Sequence, residues 1–179
     1  MRFLERWLTD TISLVLALAL GLLAMQAPAL THEYADSLLQ VAQDVRRDID
    51  QREASARQYY GITAAGDAEV IAALQAREPS NAATLTQSVE RAGALQAAYD
   101  RIEGAAPLLR PVAAASDALR DPQGYKASVL RTTLDTYTPQ LVLSTAAAIY
   151  GLAGVIVGTL LASLIISIGT ARRQTRRVW

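Results

Sequence analysis

Two stretches of this chain carry no charge, and each is long enough to cross a lipid bilayer. Neither Thr11–Thr31, centred on ISLVLALALGLLAM, nor Thr136–Ala171 contains an Asp, Glu, Lys or Arg. About 20 apolar residues traverse ~30 Å of hydrocarbon, so both runs read as membrane spans. Backbone groups in lipid must bond within their own segment, which makes the spans helical. A cleaved signal peptide is the rival for the first run, with APA at Ala27–Ala29 as its processing site, but Glu5 and Asp10 spoil the positive leader that it needs. For the second, counting back ~20 residues from Gly169 places the outer boundary near Tyr150. Thr138 and Pro139 then read as a helix start outside the bilayer, with proline in the first turn where its missing N–H costs nothing.

Seventeen basic and seventeen acidic residues cancel, but not locally. Met1–Thr31 and Thr136–Trp179 together hold six arginines against Glu5 and Asp10, a balance of +4, while His32–Asp135 holds eleven bases and fifteen acids, a balance of −4. Arginine next to a span marks the cytoplasmic side. Arg172, Arg173, Arg176 and Arg177 therefore act as the topogenic cluster, suited also to lipid headgroups, and with Arg2 and Arg6 they place both termini inside. The region between the spans lies outside, in a bacterium the periplasm, and the protein in the inner membrane. Trp7, Tyr34, Tyr137, Tyr150 and Trp179 fall near the expected interfaces, where amphipathic rings anchor. The expected organisation is a cytoplasmic segment 1–10, a transmembrane helix 11–31, a periplasmic helical domain 32–138, a second transmembrane helix 139–171 with its membrane part at about 149–169, and a basic tail 172–179.

The middle reads as helix broken by turns. Leu38, Ala42, Val45 and Ile49 form one face of a helix beginning near Tyr34. Gly61 and Gly66 end it, and Asp67 is placed to cap a short helix, AEVIAALQA. Ser80 is placed to cap a long helix showing Leu85, Val89, Ala92, Leu95 or Gln96, Tyr99 and Ile102, closed by Gly104. Pro107 and Pro111 bracket another start, and Asp121 and Pro122 open a last helix through Tyr125 and Val129 towards Tyr137. No useful length alternates with period two, so the fold class is all-α: two transmembrane helices flanking a periplasmic, coiled-coil-like bundle of three or four helices. Its apolar faces are narrow and rich in alanine, which favours partners.

Glycine weakens a helix interior by ~1 kcal/mol relative to alanine. Nevertheless Gly151, Gly154 and Gly158 sit inside the second uncharged run. Membrane helices associate by close packing, which small residues at every fourth position permit. Gly154, Gly158 and Ala162 form such a row, with Ala147 and Gly151 extending it, and Ala17, Gly21 and Ala24 form one in the first span. Depth counting from Asp10 and Gly169 pairs Gly21 with Gly158, Ala17 with Ala162 and Ala24 with Gly154. Chance register, contact within one chain and contact with another protein all remain open at this level.

MQAPALTHEYADSL (25–38) resembles the start of a proteobacterial inner-membrane family, the domain of unknown function 2937. Gln26, Pro28, Tyr34 and Leu38 fall on its pattern, while Leu30 replaces an aromatic and Ser37 an arginine. The end is similar too, with Tyr137, Pro139 and the spaced glycines Gly151, Gly154 and Gly158. The resemblance implies two spans around a periplasmic helical segment and adds no catalytic residue.

Chemistry leaves few candidates. The chain has no cysteine, and His32 is its only histidine, so a conventional metal site is not expected. No nucleophile elbow, phosphate loop or dinucleotide fingerprint occurs, and no catalytic or cofactor-binding residue is assigned. DVRRDIDQRE (44–53) reads as i,i+4 pairs on a solvated face. Thr159, Ser163, Ser167 and Thr170 share a face, but their hydroxyls are expected on their own helix's carbonyls rather than lining a pore. No basic footprint points to nucleic acid. The expected function is a non-enzymatic accessory or scaffold subunit of a larger membrane assembly, docking through the small-residue faces and the periplasmic domain. Expected partners are lipids, other integral membrane subunits or further copies of itself. The alternative is a periplasmic sensor, which needs a separate signalling partner because only Arg172–Trp179 follow the second span.

Overall fold

A computed structural model describes the backbone of residues 2–64, 66–140 and 144–175, and the side chains of 7–64, 66–140 and 144–166. Seven helices run in order: α1 (Arg2–Met25), α2 (Ala27–Tyr60), α3 (Asp67–Gln75), α4 (Pro79–Gly104), α5 (Arg110–Leu119), α6 (Tyr125–Thr136) and α7 (Thr145–Thr175). Among the described residues there is no strand. The chain divides into two compact units, 1–30 with 138–179, and 31–137.

The first unit is a pair of helices, α1 against α7. Both are long and apolar enough to cross a membrane. Leu14, Val15, Leu18, Leu22 and Leu23 on one, and Leu152, Ile156, Leu160 and Leu164 on the other, are exposed. The second helix starts later than Pro139 suggests. Tyr137 is extended, and Thr138–Gln140, around the proline, have no regular structure. Ser144 supplies the start instead: its Oγ accepts the Ala147 N–H at 3.1 Å, satisfying one of the donors that a helix leaves unpaired in its first turn. The first apolar run is also not one helix. α1 stops at Met25, Gln26 alone is non-helical, and α2 begins at once, with Pro28 in its first turn.

In the second unit α2 and α4 form the long pair, and two apolar clusters show that they are antiparallel. Tyr34, Ala35, Leu38 and Ala42 of α2 share a cluster with Leu95, Ala98 and Ile102 of α4, joined by Ala114 and Val129. Further along α2, Ile49 and Ala56 share the second with Ala82, Leu85 and Ala92, joined by Ile62, Val70 and Leu74. Gly61 ends α2 at φ +64°, a left-handed conformation that costs glycine no Cβ clash. Gly124, at φ +75°, precedes α6 for the same reason. Asp121 accepts the Ala127 N–H at 2.8 Å and so caps α6 from the loop. The other expected caps are replaced. Pro79 opens α4 with Glu78 as its cap residue and no side-chain cap bond, and Asp67 lies inside α3, its carboxylate taken by Arg46.

Leu38 is fully buried where α2, α4, α5 and α6 meet, whereas Leu119 projects from the end of α5. Leu38→Ala is expected to cost ~2–5 kcal/mol. Leu119→Ala should stay within ~0.5 kcal/mol. Thermal unfolding of the detergent-solubilised chain, followed by circular dichroism, makes the comparison. Equal shifts for the two would contradict this packing.

Candidate functional site

α1 and α7 approach one another closely at their small residues. A Cβ built on Gly158 would lie 2.6 Å from Ala17 Cα, and one on Gly154 would lie 2.7 Å from Ala24 Cβ and 3.0 Å from Gly21 Cα. Real side chains do not come that near, so these positions accept only hydrogen. Gly151 meets Met25, and Gly21 meets Val155 and the Gly151 carbonyl. Ala17, Ala147 and Ala162 are buried, while Ala24 is half-buried. The structure thus brings both rows together within one chain: Ala24 meets Gly154, as the depth count pairs them, while Ala17, not Gly21, faces Gly158, and Gly21 also lies against Gly154. Both registers place small residues on small ones. The observed register also engages Gly151, which the depth count leaves unused.

A second constellation lies between α2 and α3. Arg46 grips Asp67 with both guanidinium arms, Nη1 to Oδ2 at 2.5 Å and Nη2 to Oδ1 at 2.8 Å, and also pairs with Asp50. Arg57 Nη2 donates to Glu53 Oε2 at 2.8 Å and its Nε to the Ala64 carbonyl at 2.9 Å. Glu53 is 2 % exposed, and its Oε1 has no hydrogen-bond partner. Burial, together with the neighbouring Asp67 carboxylate, pushes the Glu53 pKa up from its ordinary value. The Arg46 hydrogen bonds hold Asp67 below its own. The two neighbouring acids are thus pushed in opposite directions, Glu53 reluctant to ionise and Asp67 eager to.

A third lies where α4, α5 and α6 converge. Asp117 Oδ1 accepts from Arg101 Nε at 2.9 Å and Nη2 at 2.5 Å, and Lys126 Nζ stands 3.2 Å from its Oδ2. Both Asp117 and Lys126 are buried, and Lys126 also donates to the Arg120 carbonyl. Tyr34 sits beside them at 1 % exposure. It is a core residue rather than the interface anchor that its sequence position suggested, because it packs in the centre of the first cluster. Burial, and then the Asp117 and Asp121 charges, push its phenol up to about 12. Glu53, Asp117 and Lys126 escape a reading that looks for apolar stripes. Their signal is position: Glu53 is four residues past Ile49, Asp117 three past Ala114 and Lys126 three before Val129.

Between the C-terminal half of α2 and the start of α4 lies an open groove of about 940 Å³, lined by Asp48, Gln51, Arg52, Ser55, Tyr59 and Asn81 among others. Tyr59 stands exposed over it, edge to face with Tyr60 at 4.9 Å. Elsewhere His32 is exposed, 3.8 Å from Asp36, and no group of three metal-ligating side chains occurs among the described residues. Thr159 and Ser163 donate to their own helix's carbonyls, at Ile156 and Thr159. The Ser167 and Thr170 side chains lie outside the described residues. Trp7 is exposed, and Tyr137 and Tyr150 are half-buried. Arg172 and Arg173 belong to α7, with side chains outside the described residues, as are Arg176, Arg177 and Trp179 altogether.

Comparison with protein families matches residues 8–175 to the model described as "Protein of unknown function (DUF2937)". Comparison with curated proteins and with solved structures finds no match.

The seam makes a sharp contrast between neighbours. Gly158→Leu is expected to cost ~1–2 kcal/mol of helix pairing, because the backbones must separate. Leu160→Ala, at a position 65 % exposed, should leave pairing unchanged. Thermal stability in mild detergent checks both, and a Leu160 effect as large as that of Gly158 would remove the seam from its role. The paired acids predict opposite pH behaviour. A raised Glu53 value means that the folded chain holds this proton more tightly than the unfolded chain does, so stability falls as pH rises past its ordinary 4.5. Glu53→Gln should therefore be more stable than the parent near neutral pH, with the advantage vanishing below that value. Asp67, with an ordinary value of 3.8, contributes stability that is lost as pH falls through its lowered one. Asp67→Asn should be the less stable chain near neutral pH and approach the parent in acid. Unfolding midpoints across that range read both signs.

Proposed function

The chain belongs to the DUF2937 family, and we propose that it is a non-enzymatic integral protein of the bacterial inner membrane that serves as an accessory or scaffold subunit of a larger assembly. Residues 32–138 lie in the periplasm and both termini in the cytoplasm. The observation that carries the membrane reading is the exposure of the apolar faces of α1 and α7. A helix from a water-soluble core buries such a face, whereas here only 11 % and 17 % of the apolar windows are buried. The arginine bias at the two ends supports the orientation.

Of the two docking surfaces that the sequence implies, the helical unit is the one left open to a partner. The small-residue faces are occupied by each other within one chain. The hairpin is therefore the anchor, and the helical unit carries the surface that a partner reads. A sensor is the second reading, favoured by the groove beneath Tyr59, whose acid, amide and guanidinium groups suit a polar ligand.

A reporter active only in the periplasm should work when inserted at Gly66 and stay silent when fused after Trp179, and the reverse would overturn the orientation. Mild extraction followed by mass spectrometry then separates the functions. A stoichiometric protein partner supports the scaffold, while a retained small molecule with no partner supports the sensor.

A further inference from the structure

An apolar tip projects from one end of the helical unit. Between Gly104 and Leu109 the chain carries no charge, and Pro107 is exposed beside Leu108, Leu109 and Val112, which are 43 %, 59 % and 58 % exposed. Leu119, also exposed, is different: it stands among Asp117, Arg120 and Asp121 and makes no patch. The one cation at the tip is turned back, since Arg110 Nη1 donates to Glu103 Oε1 at 3.1 Å and Nη2 to the Glu103 carbonyl at 3.1 Å. The tip's backbone is also largely satisfied. The Leu109 and Arg110 N–H groups donate to the Ala106 carbonyl, and that of Ala113 to the Leu109 carbonyl. Pro107 and Pro111 have no N–H to satisfy. Leucines around a self-paired backbone suit a medium that offers few hydrogen bonds.

The tip's place in the unit identifies that medium. α4 runs antiparallel to α2, and Ile102 shares its cluster with Tyr34. The loop after Gly104 therefore lies at the end where α2 enters. Thr31 follows Met25, the last residue of the first apolar helix, by six residues, which span at most ~20 Å of chain. The headgroup layer on each side of a bilayer, ~5–8 Å thick, is within that reach. We infer that Pro107, Leu108, Leu109 and Val112 insert into the lipid interface and hold the helical unit against the membrane surface. The inference rests on the membrane reading above.

The chain's lack of cysteine makes the test direct. Leu109→Cys, Tyr59→Cys and Leu160→Cys are each labelled with a small environment-sensitive fluorophore in the full chain, reconstituted in phosphatidylcholine vesicles. The vesicles carry a nitroxide quencher either near the headgroup or deep in the acyl chain. The Leu109→Cys probe should lose most of its emission to the shallow quencher and little to the deep one. The Leu160→Cys probe should be quenched by the deep one, and the Tyr59→Cys probe, at the far end of α2, by neither. An unquenched Leu109→Cys probe beside a quenched Leu160→Cys probe overturns tip insertion and leaves the spans standing. Shallow quenching at both Leu109→Cys and Tyr59→Cys overturns it as well, because the whole unit would then lie flat. An unquenched Leu160→Cys probe overturns the membrane reading itself, and the tip falls with it.

Discussion

Where α1 crosses α7 there is no room for a side chain between the backbones, and the helical unit depends on that closure. Gly154 lies on Gly21 and Gly158 on Ala17, which fixes α1 and α7 as an antiparallel pair. Gly151 faces Met25, so residue 26 and residue 144 leave the pair at the same end. The chain therefore leaves for the inserted unit, 31–137, and returns from it at one end of the pair. Joining the ends of a free loop of about 100 residues costs roughly 4 kcal/mol by the logarithmic law. A hairpin that forms first bears this cost before the insert folds. The destabilisation that each glycine brings to its own helix is offset by contact that no larger residue permits.

Inside the unit the opposite problem arises. Alanine makes up much of both clusters, with Ala35, Ala42, Ala98 and Ala114 in one and Ala56, Ala82 and Ala92 in the other. Such faces pack closely but bury little apolar area per residue, and they distinguish poorly between one register and the next. Polar pairs between helices, partly exposed at Arg46 and Arg101 and buried at Asp117 and Lys126, supply that distinction. Arg46 holds Asp67 at the start of α3, and Arg101 and Lys126 draw α4 and α6 onto Asp117 of α5. Pairs of this kind add little net stability, because leaving water costs nearly what the pairing returns. Each still selects one alignment, since a slip by one turn would strand a charge.

Much of this was legible in the residues, and the failures have identifiable causes. The stripe Leu38, Ala42 and Ile49 is buried as its spacing predicts, and Gly61 and Gly104 end their helices. The two small-residue rows and the meeting of Ala24 with Gly154 were visible, but the rest of the register was not, because a row repeating every four residues looks the same after slipping one turn. The second span's start was misplaced because Thr138 and Pro139 have the composition of a helix start, while Ser144, which bonds Ala147, is inconspicuous among small residues. Tyr34 passed for an interface anchor because proximity to a span in sequence says nothing of which way a ring points. Glu53 was read with its charged neighbours as solvated. It occupies the next position of the apolar stripe, and composition outweighed geometry there.

That misreading bears on how the protein meets others. On the proposed membrane reading, lipid tails are as apolar as leucine, so the leucine-rich outer faces of α1 and α7 would gain nothing by exchanging lipid for a leucine-rich partner. The residues that would make such an exchange favourable, the glycines and alanines, are already spent on each other. On the proposed scaffold reading, selectivity would then reside where water competes and polar groups can be matched or mismatched, which is the helical unit. Its groove offers such groups: Asp48, Gln51, Arg52 and Asn81 arranged around an exposed Tyr59. Tyr60, beside it, is held by a hydrogen bond to Glu78, with the Arg77 guanidinium 5.7 Å above its ring. An aromatic pair supported in this way presents a firm surface at low entropic cost. The proposed division of labour would follow from solvent: close packing in the apolar pair would secure the chain, and polar recognition would be left to the part that faces water.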